Sequence, residues 1–453
     1  MTECNQERFE FASTSGTRQI VAEFSGGTIS SDAGSLLLKE TDAKMNLLAR
    51  FSQCFSDRRN PLLIEHTLEQ MRRQRVYGLA LGYEDLNDHD ALRLDPLLAS
   101  LAGKAEPGTD LLAGKSTLNR LELGTGTPSR YKKVTFWRDS VDELLVDIFL
   151  EAHPVAPAQI VLDIDTTDMA LHGNQEDKFY HGYYKHYCYL PLYIFCGDHV
   201  LCARLRPSSI GPAVGSRKEV ERIVKQIRQH WPSVEIILRG DSGFCADELL
   251  RWCENNRVDY VVGVARNQRW EKLIDGELAE AKRQVEATPP PTRIFVEFEH
   301  KTLQGAWNSD RRVVAKAEHI NGKSNPRFIV TSLKAGNWEK QKLYEELYCG
   351  RGDMENRIKE QFVLFADRVS VSTMRGNQLR IYLSVIAYTL MNGLRRFGLK
   401  STALATAQVG TIRLKVLKIG ALIQVTVRKV WVLMASSYPY QALFSQVLQQ
   451  LRT

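Results

Sequence analysis

Four polar residues late in the chain fall on one helical stripe. Residues 339–365 read as a long helix, and Tyr348, Arg351, Glu355 and Lys359 then lie at about 0°, 300°, 340° and 20°, an arc of roughly 80°. An acid, two bases and a phenol on one stripe could hold a cation and grip a phosphate. Taken alone, they are equally an exposed face laced with pairs four residues apart, Arg351 with Glu355 and Glu355 with Lys359. Two aspartates shift the balance. Asp165 and Asp241 stand at the ends of short apolar strands, 160–165 and 234–239, in an order of elements that could bring all three carboxylates together. An aspartate at such a place ordinarily just caps a turn; the third carboxylate favours chemistry. Asp163 shares its strand face with Asp165 and stays open as the alternative.

Three carboxylates with no histidine or cysteine beside them suit hard divalent cations, Mg²⁺ with Mn²⁺ able to substitute. Asp165, Asp241 and Glu355 are thus the expected catalytic and metal-binding set. Two ions about 3.5–4 Å apart would activate a nucleophilic oxygen and stabilise a leaving oxygen in phosphodiester chemistry. Tyr348, Arg351 and Lys359 flank the set, the two cations placed to grip non-bridging phosphate oxygens.

The elements around these residues run strand, strand, strand, helix, strand, helix, strand. The strands are 160–165, 187–195, 199–205, 234–239 and 258–264; the helices are 216–230 and 246–255. A meander followed by alternation implies a mixed sheet flanked by helices, with its active site at the carboxyl ends of strands. A β-rich insertion, 266–335, interrupts the alternation. It contains the break Pro289-Pro290-Pro291 and precedes the helix of 339–365. The expected division is a mainly helical region at 1–155, the core at 156–265, the insertion at 266–335, the rest of the core at 336–372, and a helical, basic region at 373–453.

Composition sets the outer bounds. With 453 residues, 43% of them hydrophobic and 25% charged, the chain is an ordinary globular protein of several domains. No apolar run reaches the ~20 residues of a membrane span, and the start lacks the pattern of a secretory leader. A cytoplasmic protein is expected. The eight cysteines form no C-x-x-C pair, which argues against a zinc ribbon or a disulfide framework. His181, His186 and Cys188 lie close together, but their Tyr-rich surroundings favour a surface or packed strand over a metal site. Net charge is +7, and all of it comes from residues 399–453, where seven basic side chains meet no acidic one. Such asymmetry suggests a polyanionic partner.

The element order, the insertion and the set Asp165, Asp241 and Glu355 resemble the RNase H-like core of bacterial insertion-sequence DDE transposases. Tyr348-x2-Arg351-x3-Glu355 is similar to the start of their Y-R-E-K signature. Their lysine commonly stands seven residues after the glutamate; that position here is Phe362, and Lys359 comes four after, on the same face. Leu162-Asp163-Ile164-Asp165-Thr166-Thr167-Asp168 is similar to the first family motif, an Asp followed by x-Thr, and favours Asp165. Residues 238–244 resemble the second motif, and 74–98 look like one branch of these enzymes.

The resemblance implies metal-dependent cleavage at inverted-repeat ends of double-stranded DNA and strand transfer into a target, by cut-and-paste with or without a hairpin intermediate. A homodimer would pair the two ends. In related enzymes an aromatic residue of the insertion holds a flipped base, and Trp307, in the loop-like run Gly305-Ala306-Trp307-Asn308, is the choice here over Trp270 and Trp338. Two other classes stay open: a metal-dependent nuclease on the same core without strand transfer, and a non-catalytic DNA-binding regulator of transposase descent.

Overall fold

The computed structural model describes residues 7–12, 18–123, 132–287, 292–301, 307 and 309–453. The prolines at 289–291, and Gly305, Ala306 and Asn308 around Trp307, lie outside the described residues. Two compact units result. One comprises Met1–Phe136, Val363–Phe365 and Ile386–Thr453; the other comprises Trp137–Phe362 and Ala366–Val385. They cut across the five-segment division expected from sequence.

The second unit is built on a mixed sheet. Its strands are β1 (Gln159–Thr166), β2 (Leu192–Cys196), β3 (His199–Arg204), β4 (Glu235–Gly240), β5 (Asp259–Val264), β6 (Arg293–His300), β7 (Arg311–Ile320) and β8 (Arg327–Thr331). Across the sheet they run β3-β2-β1-β4-β5-β8-β7-β6. Strands β1, β4 and β5 are parallel; β2 and β3 are antiparallel neighbours of one another, and β2 of β1. The order β3-β2-β1-β4-β5 with these directions is that of an RNase H-like sheet. The insertion does not stand apart from it, because β8 pairs antiparallel with β5 and carries β7 and β6 outward.

Alternation along the strands sets the two faces. Leu162, Ile164, Ile236, Leu238, Tyr260 and Val262 face one way, against a core that includes Val146, Phe149, Ile223, Ile227, Leu249 and Leu250 from three helices. On the other face Ile237 and Val261 pack with Leu343, Tyr344 and Leu347. A fully buried leucine is worth about 1.5–3 kcal/mol, so Leu343 and Leu347 alone are enough to seat the helical segment on that face.

Two local expectations change. Residues 187–195 form two strands, His186–Tyr189 and Leu192–Cys196, in different sheets. Pro191 separates them, having no N–H to give a ladder. The single helix expected over 339–365 is a composite: an α turn at Lys340–Lys342, a π-helix at Leu343–Tyr348, a 3₁₀ turn at Cys349–Arg351 and an α-helix at Gly352–Val363. Gly350 and Gly352 are poor helix formers at the change of winding. Wide and tight turns of this kind gather at functional positions.

The first unit is helical with small sheets. Its helix Leu68–Leu81 opens on a capping box formed by Thr67 and Gln70. Strand Ile29–Ser30 pairs with Ala421–Val425, which pairs with Val430–Met434. The C-terminal region therefore carries a β-hairpin besides its helices. Among the described residues, no helix is long and apolar enough to cross a membrane.

Candidate active site

Register places the aspartates. Along the parallel pair β1 and β4, Asp163 is opposite Arg239 and Ile164 is opposite Gly240. One step further come Asp165 and Asp241, so the two carboxyls leave the sheet side by side. Asp241 then caps the 3₁₀ turn Ser242–Phe244, accepting from the Gly243 N–H at 2.9 Å. Asp165 is buried and accepts from the Thr166 N–H at 2.8 Å.

The composite helix adds the third acid. Glu355 lies in the first turn of Gly352–Val363 with half of its side chain exposed. Arg351 connects it to the sheet: Nη1 donates to Asp165 Oδ2 at 3.0 Å and Nη2 to Glu355 Oε1 at 3.1 Å. Burial lifts the Asp165 carboxyl to about 6; the Arg351 guanidinium opposes that rise, and the charges of Asp241 and Glu355 add to it. The same neighbours hold the Arg351 guanidinium above its ordinary value, against its own burial. Negative charge converges here, and the guanidinium is what meets it.

Tyr348 reaches the same corner. A methyl group at Gly263 of β5 would lie 2.7 Å from its hydroxyl and 2.9 Å from the Ser242 nitrogen, so only glycine lets the phenol lie over the end of the sheet. Lys359 is exposed one turn beyond Glu355, outside the bonded set. The structure thus brings Asp165, Asp241, Glu355, Arg351 and Tyr348 together.

Asp163 has other business. Arg239 donates from Nε and Nη2 to its two oxygens at 2.5 and 2.7 Å, and from Nη1 to the Leu347 carbonyl at 2.5 Å. One guanidinium therefore ties β1, β4 and the end of the π-helix. Both partners are buried, and burial pushes the Asp163 carboxyl up against the pull of Arg239. A methyl at Gly350 would lie 2.6 Å from Arg239 Nη1, so the 3₁₀ turn passes over the pair only because that residue is glycine. Sequence reasoning missed Arg239. The signal was there: it precedes Asp241 by two residues, as Asp163 precedes Asp165, which puts all four on one face.

Trp307, expected to hold a flipped base, is buried. It is 3% exposed, with Trp270 at 5.9 Å between ring centroids and the Arg311 guanidinium 5.6 Å from its ring. Arg311 in turn pairs with Asp247 at 2.8 Å and Glu254 at 2.7 Å. The indole is part of the packing between the insertion and the helix Asp247–Asn255. Its spacing and loop-like neighbours could not reveal this, because Trp270 and the helix Asp247–Asn255 are distant in sequence.

The donor set fits a hard divalent cation in kind: three carboxylates, with neither imidazole nor thiolate among them. As the side chains stand, no three acidic, histidine or cysteine groups among the described residues are gathered closely enough to ligate one ion. Arg351 lies between two of the three carboxylates.

A family model described as transposase DDE domain group 1 matches residues 12–453. No curated protein matches. Among solved structures, a cryo-EM structure of the piggyBac transposase synaptic complex with hairpin DNA is similar at a TM-score of 0.42 and 12% identity, covering 86% of this chain and 80% of that one.

Proposed function

The chain belongs to the DDE transposases of domain group 1, and from that premise we propose that it cuts double-stranded DNA at the inverted-repeat ends of its own element and joins the freed 3′-hydroxyl to a target. The observation that carries this reading is the adjacency of Asp165 and Asp241 at the ends of paired parallel strands, with Glu355 tied to the first through Arg351. DDE transposases generally use divalent metal ions. Asp165, Asp241 and Glu355 would hold two Mg²⁺ or Mn²⁺ ions, which when bound activate the attacking oxygen and stabilise the leaving one.

The chain's own groups do the rest. Arg351 has a planar fork suited to two phosphate oxygens, and it exchanges its carboxylate partners for the phosphate beside the cut. Tyr348, fixed over Gly263, bounds the same phosphate from the sheet side, and Lys359 reaches the neighbouring backbone. Phosphate contacts supply most of the affinity, so binding falls steeply with salt. Two ends brought together require at least a dimer on DNA.

Incubation with the DNA flanking its own gene, with cut ends mapped to the nucleotide, tests the proposal. Mg²⁺-dependent cuts at inverted repeats are expected, followed by joined products from a pre-cut end. Cleavage without joining would make the protein a nuclease; specific binding without cleavage would make it a regulator. Asp241→Asn is expected to abolish cutting while end-binding persists, and equal cutting by variant and parent at saturating Mg²⁺ would sink the assignment.

A further inference from the structure

Residues 178–187 read Lys-Phe-Tyr-His-Gly-Tyr-Tyr-Lys-His-Tyr: five aromatic rings, two imidazoles, two lysines, one glycine and no acid. They form a β-hairpin. Strands Phe179–His181 and His186–Tyr189 pair with Tyr180 opposite Tyr187 and His181 opposite His186, and Met169–Ala170 completes a three-stranded sheet. Its base is anchored. Cys188 and Tyr189 are fully buried, and the Ser208 hydroxyl bonds the Cys188 and Phe179 carbonyls.

Its tip is bare. Tyr183 is 83% exposed, and Phe179, Tyr180 and Tyr187 are each close to half exposed. The rings are ordered against one another rather than splayed. Tyr180 and Tyr187 meet at 5.5 Å and Tyr183 and Tyr184 at 5.0 Å between centroids, while Lys178 Nζ stands 5.2 Å from the Tyr187 ring. Large rings at this density ordinarily seek a core or a partner.

The partner follows from place and charge. The sheet begins at Met169, four residues after Asp165, and His186 Nε2 lies 2.9 Å from the Asp168 carboxylate. Beyond Pro191 the hairpin's second strand leads into β2, where Tyr193 pairs with Asp165. The ring cluster is therefore continuous with the corner where the cut would occur. Two lysines and no acid suit a polyanion. Aromatic faces suit nucleobases, but in a duplex those faces are covered by stacking, so the occupant must be unpaired.

We propose that the β-hairpin 178–187 is a stacking platform for unpaired nucleotides next to the scissile phosphate. This rests on Asp165 being catalytic, and its test is chosen to fail separately. Full-length protein is titrated with fluorescent single-stranded (dT)10 and with a 30-base-pair duplex of arbitrary sequence, by anisotropy. Tyr180→Ala and Tyr183→Ala are expected to weaken (dT)10 binding roughly five- to hundredfold, the range for losing one stacked base. Duplex affinity should stay within about twofold, since it rests on phosphate contacts. Tyr183→Trp, which keeps a ring, should bind (dT)10 at least as well as the parent. Both tyrosines lie at the surface, so unchanged circular dichroism is expected. Undiminished (dT)10 binding by the alanine variants overturns the inference, as does an equal loss on duplex. A changed oligomeric state with unchanged (dT)10 affinity would instead make the patch a protein interface. If the parent cuts its own ends and the variants still hold (dT)10, only this inference falls; if the parent does not cut, the catalytic reading falls.

Discussion

Arg239 holds both carboxylate oxygens of Asp163 and, with its remaining nitrogen, the carbonyl of Leu347, so the two strands that lead to Asp165 and Asp241 are fastened to the segment that carries Tyr348 and Arg351. Removing one partner of a buried pair costs on the order of 3–5 kcal/mol, so Arg239→Ala should lower the thermal midpoint and slow cleavage together. The double variant Asp163→Leu/Arg239→Met leaves no unpaired charge and should recover most of the stability. It should not recover the cleavage rate, because the Leu347 carbonyl loses its tether. Full recovery of the rate, measured in single-turnover cleavage, would reduce the pair to a structural role.

Arg351 bridges Asp165 and Glu355 before any DNA arrives. Arg351→Ala should slow cutting by about a hundredfold through a misplaced phosphate. It should also tighten Mn²⁺ binding, measured by calorimetry without DNA, because a competing cation has gone. Lys359→Ala should slow cutting without tightening Mn²⁺ binding, since Lys359 lies outside the bonded set. Weaker Mn²⁺ binding by Arg351→Ala would show that the guanidinium organises the carboxylates rather than competing for them.

The basic C-terminal region is less free than its composition suggests. Arg413 donates to the carbonyls of Leu79, Ala80 and Val363, Lys418 lies 2.6 Å from Asp32, and Arg452 lies 3.3 Å from Glu40. Deleting residues 399–453 would also remove the buried Leu399, Val409, Ile412, Val416, Leu417 and Ile419. That truncation should unfold its unit rather than merely weaken DNA binding. Charge at the β-hairpin tip is the cleaner probe. Arg428→Ala/Lys429→Ala should lower the salt slope of DNA binding by about two with no change in the thermal midpoint; an unchanged slope would clear the tip of phosphate contact.

His89 links stability to pH. It is fully buried beside Arg75, and burial first, then that positive charge, press its imidazole down to about 3. The unfolded chain would take up its proton near 6.5, so it binds more protons than the folded state below that value. The contribution is complete above about 6.5 and is lost as pH falls toward 3. Urea unfolding should show its midpoint dropping across that window, and His89→Gln should flatten the drop.

Much of this was legible. Strands written as alternating rows announce their faces, and the pairs Asp163/Asp165 and Arg239/Asp241 lie on those rows two residues apart. The mixed sheet followed from element order because short connections leave few topologies. What escaped was set by contacts between distant segments. The uniform 100° wheel could not foresee a π-helix and a 3₁₀ turn within the stripe, nor a carbonyl diverted to Arg239. Trp307 looked like a loop residue because Trp270, whose ring packs against it, comes from elsewhere in the chain.

The pairing of Ile29–Ser30 with Ala421–Val425 has a consequence for biosynthesis. The Ala33 and Gly34 N–H groups donate to the carbonyls of Ile419 and Leu417, and Gly34 is packed so closely against residues 416–417 that no side chain would fit. At roughly 5–20 residues per second, the partner strand leaves the ribosome about 20–80 s after the strand it must join. The unit whose sequence is translated first is therefore the last to close, and every strand of the large mixed sheet is made while the unit that precedes it in sequence still awaits its final strands. A ribosome that stalls between codons 390 and 421 leaves a product in which Asp165, Asp241 and Glu355 are all made and Ile29–Ser30 lacks the strand it pairs with.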